Sequence, residues 1–202
     1  MANITFKGDP VNIIGELPKI GGKAPDFLLT KTDLSDISLK DVSGKKVILN
    51  IFPSIDTPVC SISVTRFNEE IGKFDNAVVI GVSVDLPFAH ARFCEAEGIK
   101  NVITASELRN REFGNSYGVR MIDGPLAGLL ARAIVVIDEN SKVIYTQLVR
   151  EITEEPDYDN ALSMLKKTPH KGEAIDICIQ TSTAEHSRAD DTDEPCDDGR
   201  AG

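Results

Sequence analysis

The chain has 202 residues and a net charge of −10, with 41% hydrophobic and 27% charged residues, no Trp and four Cys. That size and balance suit one soluble globular domain with an appended tail. The negative charge argues against a nucleic-acid backbone or an anionic membrane surface as partner.

Four cysteines (Cys60, Cys94, Cys178, Cys196) without a Cys-x-x-Cys pair do not make a disulfide-rich scaffold. The three histidines (His90, His170, His186) sit near no cluster of ligand residues, so neither a zinc nor an iron–sulfur site, nor any other cofactor, is expected. No apolar run approaches the ~18 residues that span a bilayer. Residues 1–10 lack a basic stretch followed by an apolar core, so a cytoplasmic protein is expected. Charge is uneven: from His170 onward nine acidic residues face three basic ones, which marks 170–202 as a separate, acidic extension.

Residues 4–6 and 11–14 flank the turn-rich Lys7-Gly8-Asp9-Pro10 and predict a small N-terminal β-hairpin. After Gly21-Gly22 and Pro25, residues 27–29 form a short strand, and 43–46 read as a turn. The apolar run 47–52 is a central, buried strand. Val64, Phe67, Ile71 and Phe74 recur at helical spacing, predicting one amphipathic helix over 58–74. A second buried strand covers 77–84. Asp85, as N-cap, and Pro87 then open a helix that Gly98 ends, with Ala89, Phe93 and Ala96 as its apolar stripe and Cys94 at the border. A strand over 101–104, a helix over 106–117, a loop over 121–130 and a buried strand over 133–137 follow. Residues 142–149 supply its hairpin partner; Pro156 opens a last helix with Tyr158, Ala161, Leu162 and Leu165 on one face, closed by Pro169. The order βαβαβα, then a β-hairpin and a helix, predicts an α/β three-layer sandwich on a mixed β-sheet, the thioredoxin-like arrangement, over residues 1–169. Residues 170–202 are almost free of apolar residues beyond 179 and are expected to be largely disordered.

The chemistry centres on the link between strand 47–52 and the next helix. Thr57 is a good N-cap and Pro58 suits the first helical position, which places Cys60 in the first turn. Unpaired backbone N–H groups and the positive end of the helix dipole favour a thiolate there, the nucleophilic form. Free Cys is also among the most buried residue types, so a structural thiol is the competing reading from position alone.

Several motifs in one order resolve the choice by resemblance. Pro53, Thr57 and Cys60, spaced Pro-x-x-x-Thr-x-x-Cys, resemble the active-site signature of the peroxiredoxins. Asp56-Thr57-Pro58-Val59-Cys60 with Arg66-Phe67-Asn68 resembles the thiol peroxidase subfamily of atypical two-cysteine enzymes. So do Phe93-Cys94-Glu95-Ala96-Glu97-Gly98, like its resolving-cysteine helix, and Gly128-Leu129-Leu130-Ala131-Arg132, like its active-site arginine region. The likeness runs from about residue 2 to 167.

The resemblance implies that Cys60 is the peroxidatic nucleophile and that Thr57 hydrogen-bonds the thiolate and the peroxide. It implies that Arg132 stabilises the thiolate and holds the peroxide oxygen, and that Pro53 shields the sulfur from water. Cys94 would resolve the Cys60 sulfenic acid as an intramolecular disulfide, and thioredoxin would reduce it. Hydrogen peroxide and alkyl or lipid hydroperoxides are the implied substrates, and a homodimer the implied assembly. Cys178 and Cys196 lie outside the resembling region and carry no assigned role. Two rival readings have specific content. Cys60-Ser61-Ile62-Ser63 is a Cys-x-x-Ser pattern, as in monothiol disulfide oxidoreductases, but those place a proline where this chain has Arg132. A non-catalytic redox sensor would signal through Cys60 oxidation and use the acidic extension for interaction.

Overall fold

Side-chain alternation along the apolar run after Gly44 divides the interior into two cores. The computed structural model describes residues 3–166. The predicted extension over 170–202, with Cys178 and Cys196, and the proposed helix stop at Pro169 lie outside the described residues. A two-stranded hairpin, β1 (Asn3–Phe6) and β2 (Asp9–Asn12), opens the chain. Its turn residues Lys7 and Gly8 both have positive φ, 55° and 86°, as a tight two-residue hairpin turn requires. The main sheet contains β3 (Leu28–Lys31), β4 (Asp36–Ser38), β5 (Lys46–Ile51), β6 (Ala77–Ser83), β7 (Val102–Ser106), β8 (Ala133–Ile137) and β9 (Val143–Leu148). Their order is β4-β3-β7-β6-β5-β8-β9. β5, β6 and β7 pair in parallel, and the flanking pairs are antiparallel, so the sheet is mixed as predicted.

Val47, Leu49 and Ile51 of β5 point into one core and Ile48 and Phe52 into the other. Three helices cover the second face. α1 (Pro58–Ile71) buries Cys60, Val64, Phe67 and Ile71, and α4 (Tyr158–Lys166) buries Tyr158, Ala161, Leu162 and Leu165. α2 (Pro87–Ala96) adds Ala89, Phe93 and Cys94 at the edge of the same core. Phe67 and Tyr158 meet edge to face at 5.4 Å, locking α1 to α4. The opposite face takes Ile4 and Val11 of the hairpin with Phe113 of the short α3 (Glu112–Ser116). Each fully buried Leu, Ile or Phe stabilises this arrangement by about 1.5–3 kcal/mol, so the two faces together hold the sheet in place.

Four local expectations change. Asp85 does not cap α2: Leu86 occupies the N-cap position, and the Asp85 carboxylate is directed elsewhere. Ala96 is exposed, and it is His90 that is fully buried on α2. The helix predicted over 106–117 shrinks to Glu112–Ser116, because β7 extends to Ser106 and Glu107 turns inward, fully buried. Glu107 there pairs with Arg120 at 2.8 Å and accepts the Gly114 N–H, a long-range demand that outweighs local helix preference. Residues 34–42, whose sequence predicts no regular element, contain the three-residue edge strand β4 and a 3-10 turn, Leu39–Val42.

Candidate active site

Register brings Pro53 and Arg132 to one end of the sheet. Ile51, at the end of β5, pairs with Ala133, at the start of the antiparallel β8. The chain leaving β5 toward Pro53 therefore lies beside the chain entering β8 from Arg132. By alternation Arg132 falls on the side of Ile134 and Val136, the face that α1 covers.

Cys60 is fully buried in the first turn of α1. Thr57 holds the extended N-cap backbone (φ −106°, ψ 144°), and its carbonyl accepts the Ser61 N–H at 3.0 Å. Its hydroxyl makes no capping bond. Instead Oγ1 lies 2.8 Å from Cys60 Sγ and 3.0 Å from the Ser54 carbonyl oxygen. These two contacts share one hydroxyl proton. Facing a thiol, S–H donates to Oγ1 and the hydroxyl donates to Ser54; facing a thiolate, the hydroxyl donates to sulfur. Thr57 thus accommodates either state without moving.

Arg132 is the largest fully buried side chain among the described residues, 2% exposed. Its Nε donates to the Ile152 carbonyl at 3.0 Å and its Nη2 to Cys60 Sγ at 3.4 Å. Nη1 is buried without a hydrogen-bond partner among the described residues. A buried guanidinium beside a sulfur stabilises negative charge on it through a charge-assisted bond, and its rigid fork fixes both directions at once. Pro53, Thr57 and Arg132 border one cavity of about 220 Å³, walled by Phe6, Leu126 and Leu129. The site is therefore an apolar pocket with a cationic floor. The loop that carries Leu126 and Leu129 is pinned where Arg120 and Arg111 both donate to the Gly128 carbonyl.

Under α1, the fully buried Asn50 donates through Nδ2 to Ser63 Oγ at 3.1 Å, and Ser63 Oγ donates to the Cys60 carbonyl at 2.8 Å. On the other side, the Asp85 carboxylate accepts from Ser54 Oγ (2.8 Å), the Ile55 N–H (2.7 Å) and Ser83 Oγ (2.7 Å). These supports are absent from the sequence reading. A polar Asn inside an otherwise apolar strand was the one signal for the first. For Asp85 the local pattern pointed to a helix cap instead.

Cys94 is not brought to the Cys60 site. Both are free thiols. Cys94 is partly buried, with Sγ 3.3 Å from Thr104 Oγ1 of β7, and borders a different cavity with Lys31 and Asp33. Among the described residues there is no group of three or more His, Cys, Asp or Glu able to hold a metal ion, and no helix long and apolar enough to cross a membrane.

Comparison with known proteins supplies the family. The Redoxin family matches residues 19–162. The chain is 54% identical over 165 residues to the thiol peroxidases of Mycobacterium bovis and Mycobacterium tuberculosis, covering 82% of this chain and 99% of each relative. The crystal structure of a peroxiredoxin-like protein from Aquifex aeolicus superposes with a TM-score of 0.78 at 41% identity, over 81% of this chain and 95% of that one. The sulfur at the helix start, the buried arginine and the thioredoxin-like sheet thus have a common context: this chain belongs to the redoxin family, as one of its thiol peroxidases.

Proposed function

We propose that the protein reduces hydrogen peroxide and organic hydroperoxides through Cys60, resolves the product through Cys94, and is recycled by thioredoxin. The observation that supports the reading most strongly is the pair of donors on one sulfur, Thr57 Oγ1 at 2.8 Å and Arg132 Nη2 at 3.4 Å, both from residues that line the pocket.

In this reading the Cys60 thiolate attacks the terminal oxygen of ROOH. A sulfur–oxygen bond forms, the O–O bond breaks, and RO⁻ leaves as ROH after taking a proton; for hydrogen peroxide the product is water. The negative charge that moves from sulfur to the departing oxygen stays within reach of the Thr57 hydroxyl and the Arg132 fork, whose Nη1 has no hydrogen-bond partner among the described residues. Pro53 with Phe6, Leu126 and Leu129 keeps water from the sulfur and suits an alkyl or lipid chain on R. The Cys60 sulfenic acid then condenses with the Cys94 thiol, giving a disulfide and water. A thioredoxin dithiol reduces that disulfide to two thiols and is itself oxidised. The reaction takes place in the cytoplasm, in a homodimer.

A two-electron balance tests the scheme. Peroxide-dependent consumption of reducing equivalents, with thioredoxin and thioredoxin reductase, is compared for wild type, Cys60→Ser and Cys94→Ser. Loss of all turnover in Cys60→Ser and a single turnover in Cys94→Ser are the expected results. Full activity in Cys60→Ser would sink the scheme, and turnover with dithiothreitol but not thioredoxin would remove thioredoxin from it.

A further inference from the structure

We infer that Asp85 is a positioning residue for the peroxide step: it ties the Cys60 loop to the helix that carries Cys94, and this tie opens for the two sulfurs to meet. The inference rests on the reading of Cys60 as the attacking thiol and Cys94 as its resolving partner.

Asp85 sits between β6 and α2 and is not exposed. One carboxylate oxygen accepts from Ser54 Oγ at 2.8 Å; the other accepts from the Ile55 N–H at 2.7 Å and Ser83 Oγ at 2.7 Å. Ser54 and Ile55 belong to the loop between β5 and α1, the same loop whose Ser54 carbonyl shares the Thr57 hydroxyl with sulfur. Three donors on one carboxylate set the height of that loop, and through Thr57 the position of the donor on Cys60.

The tie continues into α2. The Ser83 hydroxyl has one proton, and a carboxylate has none to give, so that proton goes to Asp85. The two remaining sites on Ser83 Oγ are acceptors, filled by the Asp85 N–H at 3.1 Å and by His90 Nε2 at 3.0 Å. His90 is therefore the Nε2–H tautomer, buried in α2 one turn before Cys94. The His90 ring also lies edge to face against Phe52, 6.3 Å away, at the end of β5. A second, exposed link joins Arg92 of α2 to Asp56 of the loop at 3.0 Å. The Phe52–His90 and Asp56–Arg92 contacts join the two elements directly, and the hydrogen bonds through Asp85 and Ser83 join them by way of the end of β6.

Disulfide geometry requires Cα atoms within about 7 Å. Cys60 faces Thr57 and Arg132, which line one cavity, whereas Cys94 faces Thr104 and itself borders another. The links centred on Asp85 hold both elements in this arrangement, in which sulfur meets peroxide but not the other sulfur. Loosening them slows the first step and leaves the second no slower, a split that general destabilisation does not give.

The test uses the reduced full-length protein and the variants Asp85→Ala, Asp85→Asn and Ser54→Ala. Hydrogen exchange of the Ile55 amide and the first turns of α2 is expected to rise at least tenfold in Asp85→Ala and less in the two milder variants. In rapid-quench reactions with hydrogen peroxide, with remaining thiols alkylated and weighed, Cys60 loss is expected to slow about tenfold in Asp85→Ala. Formation of the Cys60–Cys94 disulfide from the oxidised sulfur is expected to proceed at the wild-type rate or faster. Unchanged exchange at Ile55 would overturn the inference, as would parallel slowing of both steps in the milder variants. If Cys60→Ser retained peroxide turnover, the underlying catalytic reading would fail instead, and the exchange measurement would still decide whether the tie exists.

Discussion

At the scale of single residues, the division of labour around Cys60 Sγ is between a donor that adapts and one that does not. Thr57 switches its one proton between sulfur and the Ser54 carbonyl, whereas Arg132 is held by Ile152 and cannot turn away. Thr57→Val keeps the shape and removes the switch; kcat/KM for hydroperoxide is expected to fall by about 10²-fold, and Thr57→Ser to restore most of it. Equal activity in Thr57→Val and wild type, measured by steady-state peroxide consumption, would remove the hydroxyl from the reaction. His90 gives a second residue-level expectation. Burial pushes its pKa below the ordinary value of 6.5, while Asp85 and Asp56 pull it back. The unfolded chain therefore binds a proton below pH 6.5 that the folded chain resists, so folding stability falls as pH drops through the region just below 6.5. His90→Gln retains an N–H donor for Ser83 and does not titrate, and its urea unfolding is expected to show a flatter dependence between pH 5 and 7.

Among the elements, the N-terminal hairpin is the least local in its support. Glu151, near the end of the sheet, accepts from the Thr5 hydroxyl at 2.7 Å and from the Lys7 and Gly8 N–H groups at 3.0 and 3.1 Å. Hydrogen bonds from Thr153 and Thr5 are the main cause of a Glu151 pKa lowered from 4.5 to about 2. The tethering carboxylate is thus fully present above pH 4.5 and is lost as pH falls toward about 2. Since Phe6 of the hairpin walls the peroxide pocket, this tether also shapes the site. Amide exchange of β1 and β2, corrected for intrinsic rates, is expected to rise between pH 4.5 and 2 in wild type. Glu151→Gln should raise exchange already at pH 6, and an acid-insensitive hairpin would contradict this. The two cysteine helices also pack along the sheet face, where several apolar side chains support them.

For the whole molecule, one sheet carries two sulfurs on two helices and keeps them apart in the reduced fold. Formation of the proposed Cys60–Cys94 disulfide is expected to unwind α1, α2 or both locally, behaviour that belongs to switching segments of low local stability. Hydrogen exchange across residues 57–70 and 88–98 is expected to differ between reduced and oxidised protein while the central strands β5, β6 and β8 stay protected. Identical exchange in both redox states would mean that the fold does not open for resolution.

Elements whose pattern is local were readable from the order of residues. The buried strands at 47–52, 77–84 and 133–137, the α1 repeat of Val64, Phe67 and Ile71, and the Thr57-Pro58 start that puts Cys60 in the first turn were all legible. Periodicity and capping depend on neighbours a few residues away. The motif resemblance singled out Arg132, Pro53 and Cys94, and register explains how residues so far apart reach one end of the sheet in the first two cases. Features that depend on distant partners emerged only in the folded chain. Asp85 reads locally as a helix cap, yet it serves a loop 30 residues earlier. Glu107 reads as helical, yet burial beside Arg120 draws it inward. The Thr57 hydroxyl reads as a cap, yet it turns to sulfur. In each case a polar group had several acceptable local partners. The free energy of desolvating it, which only the folded surroundings set, selected the partner it has.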